Sequence, residues 1–245
     1  NFYLAQLYFA DGLESNAIPH YEFVISKGRS EFTEQSLARL AEIYLKKKDH
    51  AKAITILRRL EAEADFPQNK TFAQSNLMKT YYEQKDYAQT IAYAEKVLAN
   101  KAIEANVKSD AHVMIARAAM KTGDENRAKN AYAEVQKIAT GSLAAEALYY
   151  NAYFKNKTGE FAASNEVVQK LAKDYSGYKL YGGKGLVIMA KNFYALGDAF
   201  QATYILDSVI KNFSDYPEVV NEAQTELNKI KAEEAKTNSS VEVND

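Results

Sequence analysis

The chain has 245 residues and a formal net charge of −1, with 47% hydrophobic and 26% charged residues. That composition supplies ample core material and lacks the basic excess that draws a protein to nucleic acid or an anionic membrane. Ten glycines and three prolines are too few for turn-rich β architecture and point to an all-α fold, while the lack of cysteine excludes disulfides and thiolate sites. No apolar run approaches the roughly 20 residues that a membrane-spanning helix needs.

From Asn1 the sequence is already in an amphipathic pattern of Phe2, Leu4, Ala5, Tyr8 and Phe9. This reads as part of a longer polypeptide, so a missing signal peptide is no argument against export. Paired amphipathic runs then recur along the chain, each pair split by a short break at Gly12, Lys48, Lys85, Gly123, Gly159 and Gly197. The apolar residues return at three- and four-residue steps, which predicts helices, and the short breaks predict helical hairpins. The breaks are 36, 37, 38, 36 and 38 residues apart.

Fixed offsets carry the repeat. Seven residues before each break stand Ala5, Ala41, Met78, Ala116, Ala152 and Ala190, and three residues later Tyr8, Tyr44, Tyr81, Ala119, Lys155 and Phe193. Five residues after each break come Ala17, Ala53, Thr90, Ala128, Ser164 and Ala202, followed four later by Tyr21, Leu57, Ala94, Tyr132, Val168 and Leu206. Small residues at a crossing let two helices approach, and large ones fill the space beside them. The extra residues between repeats are placed at 65–70, 100–105, 139–143 and 175–183.

Beyond the sixth pair, Ser214, Asp215 and Pro217 are helix-start residues. A helix over 217–236 is expected, with Val220, Ala223, Leu227 and Ile230 as its apolar stripe and a polar opposite face. Such a helix closes the open end of a repeat stack. Residues 237–245 are polar, lack periodicity and are expected to be disordered.

These offsets over residues 1–213 resemble the tetratricopeptide repeat (TPR) family. The chain departs from that pattern in having no tryptophan, in Lys155 where an aromatic is expected, and in its long period. The resemblance implies a right-handed α-solenoid of six hairpins plus the C-terminal cap. The stretched repeats, with endings at 171–175 (LAKDY) and 209–213 (VIKNF), look like those of bacterial cell-envelope TPR proteins, such as outer-membrane assembly lipoproteins and Tol-Pal coordinators.

Candidate chemistry is sparse. His20, His50 and His112 lie in three different repeats without ligand or triad spacing. The run Gly182-Gly183-Lys184-Gly185 lacks the strand and the Ser/Thr of a phosphate loop and reads as a glycine-rich turn between repeats, with anion binding at the following helix start as the residual alternative. Carboxylate runs such as Glu61, Glu63 and Asp65 read as solvated helix faces. No enzyme activity, metal or cofactor is expected.

In TPR arrays the first helix of each hairpin lines a concave groove. That face should carry Gln6 and Phe9, Glu42 and Leu45, Lys79 and Tyr82, Arg117 and Met120, Tyr153 and Asn156, then Lys191 and Tyr194. The row turns from neutral or acidic to basic and aromatic, which suits a peptide or exposed loop of a partner protein. Lys79, Tyr82, Arg117, Met120, Tyr153, Asn156, Lys191 and Tyr194 are therefore the expected partner-binding residues, with Tyr153, Lys191 and Tyr194 open to solvent and Tyr44 and Tyr81 in the core. The expected function is a non-catalytic interaction scaffold, binding no nucleic acid and inserting in no membrane, in the periplasm at the outer membrane; the cytoplasm is the alternative location. Two competing roles are the helical platform of a multidomain enzyme, such as a peptidoglycan-cleaving one, and the sensing part of a cytoplasmic regulator.

Overall fold

The computed structural model describes residues 1–241, with side chains described as far as Lys236. Thirteen α-helices and no strand occur among them. The chain forms two compact units, Asn1–Ala128 and the part from Lys129 onward.

In the first unit α1 (Phe2–Ala10) pairs with α2 (Glu14–Ser26), α3 (Thr33–Lys46) with α4 (His50–Glu63), and α5 (Pro67–Glu83) with α6 (Tyr87–Ala99); α7 (Ala105–Thr122) packs on α5 and α6. The boundary between the units falls inside α8 (Glu125–Ile138). In the second unit α9 (Gly141–Lys157) pairs with α10 (Phe161–Asp174), and α11 (Lys179–Ala195) with α12 (Ala199–Asn212). The last helix, α13 (Pro217–Val241), packs on both α11 and α12.

All six breaks have one chemistry. Gly12, Lys48, Lys85, Gly123, Gly159 and Gly197 each take a positive φ, between 56° and 88°. The following N–H donates to the carbonyl five residues back, as from Asp49 to Tyr44, Asp86 to Tyr81 and Asp198 to Phe193, each at 2.9 Å. This Schellman closure satisfies carbonyls left over at the helix end. The next helix starts at once: the side chains of Asp49, Asp86, Asp124 and Asp198 accept from the backbone N–H groups of Lys52, Gln89, Arg127 and Gln201 at 2.9–3.2 Å.

The fixed-offset rows form the core. The small residues Ala17, Ala53, Thr90, Ala128, Ser164 and Ala202 are all 0% exposed, and the row from Ala5 to Ala190 is at most 1% exposed. Tyr21, Leu57, Ala94, Tyr132, Val168 and Leu206 are buried too. The two hydroxyls in the small row are satisfied, Thr90 donating to the Asp86 carbonyl at 2.9 Å and Ser164 to the Ala152 carbonyl at 2.8 Å. Tyr44 and Tyr81 are buried as expected, whereas Tyr8, Lys155 and Phe193 of the same row are half-buried.

Three expectations need correction. The run Gly182-Gly183-Lys184-Gly185 is helix, within α11, and the inter-repeat loop is confined to 175–178. The glycines serve packing: a Cβ on Gly183 would stand 2.7 Å from a Phe213 ring carbon and 2.9 Å from Val219, and one on Gly185 would stand 3.2 Å from Leu171. In the last helix Val219, not Val220, leads the buried stripe with Ala223, Leu227 and Ile230, which joins Val187, Ala190, Leu206 and Val209 in one core. Finally, helical backbone continues past the expected end at 236 to Val241. The rest of the expected disordered tail, 242–245, lies outside the described residues.

Candidate functional site

The offsets that bury one face of each first helix leave another face accessible. Six and three residues before each break, none of the twelve side chains from Gln6 and Phe9 to Lys191 and Tyr194 is buried. Residues three apart share a helix face, so each first helix presents one such pair.

In the first unit this face begins with the Phe9 ring beneath the Arg39 guanidinium at 4.9 Å, and Arg39 donates to Glu42 at 2.8 Å. Further along, exposed Lys79 of α5 pairs with Asp110 of α7 at 2.8 Å. Half-buried Tyr82 meets Tyr87 edge-to-face at 5.7 Å, and Arg117 and Met120 of α7 are half-buried. The result is a row of anchored cations and aromatic faces.

In the second unit Tyr153 is half-buried, with Phe154 edge-on at 5.3 Å and the Lys157 ammonium over its ring at 5.5 Å. Asn156 donates to Asn192 at 2.7 Å, and fully buried Asn192 donates to Asn165 of α10 at 2.7 Å. This amide chain satisfies groups that would otherwise be costly to bury.

Lys191 and Tyr194 are half-buried rather than open, because α13 lies against them. Lys191 pairs with Glu222 at 2.7 Å, and the Tyr194 hydroxyl donates to Glu234 at 3.3 Å. Hydrogen bonding to Glu233, with burial and the charge of both glutamates, pushes the Tyr194 phenol up to about 12. These contacts arise because α13 packs on α11 as well as on α12. The spacing reveals the reason: Lys79–Asp110 and Lys191–Glu222 are both separated by 31 residues. The last helix thus stands to α11 as α7 stands to α5. Its outward residues Asn221, Gln224, Thr225 and Asn228 are exposed and polar, which closes that core.

No group of three or more His, Asp or Glu side chains placed to hold a metal occurs among the described residues. His20 bonds Asn1 at 2.9 Å and stacks on Tyr8, and His50 lies 3.7 Å from Glu83. No described helix is long and apolar enough to cross a membrane.

Family models for the tetratricopeptide repeat match residues 34–61, 109–140 and 185–216. Similar solved structures include the MamA protein, at 15% identity and a TM-score of 0.59 over 74% of this chain and 92% of that one. A tetratricopeptide repeat protein from Parabacteroides merdae aligns at 14% identity and a TM-score of 0.66 over 85% of this chain and 77% of that one. PilW, described as a widely conserved type IV pilus biogenesis factor, aligns at 20% identity and a TM-score of 0.54 over 89% and 94%. No curated protein sequence matches the chain. Those three stretches match tetratricopeptide repeats, and the fold is all-α, similar to that of the TPR solenoids among these structures.

Proposed function

We propose that this chain is a non-catalytic protein-interaction scaffold of the bacterial cell envelope, working in the periplasm at the outer membrane. It holds a peptide or exposed loop of a partner protein against the accessible face of its first helices. The observation that carries this reading is the contrast between neighbouring offsets. Positions seven before each break are at most 1% exposed, while positions six and three before it are never buried. Evenly spaced aromatic and cationic side chains that contribute little to the core offer stacking surface and charge-assisted hydrogen bonds. Lys79, Tyr82, Arg117 and Met120 make this face in the first unit, and Tyr153 and Asn156 in the second. Lys191 and Tyr194 serve it indirectly, by seating α13. The envelope location rests on the stretched repeats and their endings at 171–175 and 209–213.

The test is affinity capture from periplasmic and membrane fractions with the wild-type chain and a Tyr82→Ala, Met120→Ala variant. Both side chains are half-buried, so the variant should keep its fold. The proposal expects the folded variant to recover much less partner; equal recovery would move the binding face elsewhere.

A further inference from the structure

The fifth repeat breaks the stacking rows at two positions. Eight residues before the break, the other first helices carry Leu4, Leu40, Leu77, Ile115 and Met189, but α9 carries Asn151. Four residues before it, where the others have an aromatic residue or alanine, α9 has Lys155. Being four apart, Asn151 and Lys155 share one helix face, turned away from that of Tyr153 and Asn156.

That face opens on a cleft of about 330 Å³ formed by α8, α9 and the residue preceding α10. Its floor is apolar: Ala133, Ala147, Phe154 and the ring of Tyr132. The ring is held in place by stacking on Tyr150 at 4.2 Å and by a 2.8 Å hydrogen bond from its hydroxyl to Glu146. One wall holds a pair of side-chain amides. Asn151 Nδ2 donates to Gln136 Oε1 at 2.8 Å, which leaves Asn151 Oδ1 as an acceptor and a Gln136 N–H as a donor, neither with a protein partner among the described residues. The rim carries Lys155, 3.2 Å from Glu160, and exposed Lys129, which forms no ion pair among the described residues.

From these features we infer that the cleft is a second recognition site, for a short extended peptide segment that places one apolar side chain beside a carboxylate. A peptide unit presents one N–H and one C=O, the complement of the donor and acceptor left by the amide pair. The volume is at the small end of ligand sites and suits one apolar side chain with its adjoining backbone, not a large ligand. Glu160 pairs with Lys155 and also feels the Lys129 charge, so two cations share one carboxylate and the rim keeps a net positive charge, which favours an anionic group there. That carboxylate can be an aspartate side chain or a chain terminus. The inference stands apart from the partner face described above: either can fail without the other.

The experiment titrates the ¹⁵N-labelled chain with Ac-Phe-Asp-NH₂, Ac-Ala-Phe-OH, Ac-Phe-Asn-NH₂ and Ac-Ala-Ala-NH₂ into the millimolar range. One or both acidic peptides should shift the Gln136 and Asn151 side-chain amide signals saturably. Which of the two does so identifies the source of the carboxylate. Ac-Phe-Asn-NH₂ should bind at least fivefold more weakly, and Ac-Ala-Ala-NH₂ should give no saturable shift. Asn151→Leu, which restores the repeat's apolar residue, should weaken binding tenfold or more. Exposed Gln136→Ala should do the same without risk to the fold. The inference is overturned if no peptide gives a saturable shift, if both variants bind as wild type does, or if the shifts fall on Tyr153 and Asn156 instead.

Discussion

Two adjacent glycines of α11 offer a test of the packing argument with its own control. Gly182 has nothing within 4 Å of where a Cβ would stand, whereas a Cβ on Gly183 would meet Phe213 at 2.7 and 2.8 Å and Val219 at 2.9 Å. Relaxed carbon contacts lie at about 3.5–4.0 Å, so the Phe213 ring and wholly buried Val219 would each have to retreat by most of an ångström. Overpacking of this kind costs about 1–3 kcal/mol. Replacing glycine by alanine inside a helix gains about 1 kcal/mol at either position. Gly182→Ala should therefore stabilise by up to about 1 kcal/mol, while Gly183→Ala loses that gain and ends about 0–2 kcal/mol less stable than wild type. The helix term cancels in the difference between the two variants, which isolates the overpacking of about 1–3 kcal/mol. Urea denaturation followed by circular dichroism at 222 nm measures both. Equal stabilisation by the two alanines would refute the close approach of α11 to Phe213 and Val219.

Other outcomes follow from the turns, the last helix and its ionisation. Lys48 and Lys85 hold the left-handed conformation that the other four breaks give to glycine, so Lys48→Gly and Lys85→Gly should each stabilise by about 0.5–1 kcal/mol in the same denaturation assay. Leu227→Asp puts an unpaired charge at a site 2% exposed and should cost about 3 kcal/mol or more, with hydrogen exchange accelerated first in α11 to α13. Uniform acceleration along the whole chain would contradict that local coupling. The Tyr194 phenol is raised above the ordinary tyrosine value near 10, so its contribution is complete below pH 10 and is lost as pH rises toward about 12. A ¹³Cζ signal of Tyr194 with its titration midpoint well above 10 would bear this out, and a midpoint at 10 would not.

The core was legible because it is written at fixed offsets. Every small residue five places after a break is wholly buried, and the breaks themselves are the left-handed turn residues. The sequence carries a further signal of the same turns: Asp follows four of the six breaks, as Asp49, Asp86, Asp124 and Asp198, and each caps the next helix. The glycine run at 182–185 misled because glycine alone does not distinguish a turn from a close helix contact. Only the position of Phe213, some thirty residues on, decides between them. The face of the first helices that stays out of the core followed from the same offsets, although Tyr153, expected to be open, is half-buried. Its partial covering at Lys191 and Tyr194 did not, since Glu222 and Glu234 are ordinary polar residues of an amphipathic helix until α13 is placed beside α11. The cleft beside α9 was half visible: Lys155 stood out against the aromatic row, but Asn151 gains meaning only once its position is known to face α8.

The most direct test of the scaffold reading is site-specific photocrosslinking in the native cell, with a photoreactive phenylalanine analogue placed at Tyr82, Met120 or Tyr153. Exposed Ala92 of α6 and Asp207 of α12 serve as controls on second helices. The account predicts one shared protein adduct from the first-helix positions in each unit and none from the controls. Adducts that form equally at Ala92 and Asp207, or at those two alone, would contradict it.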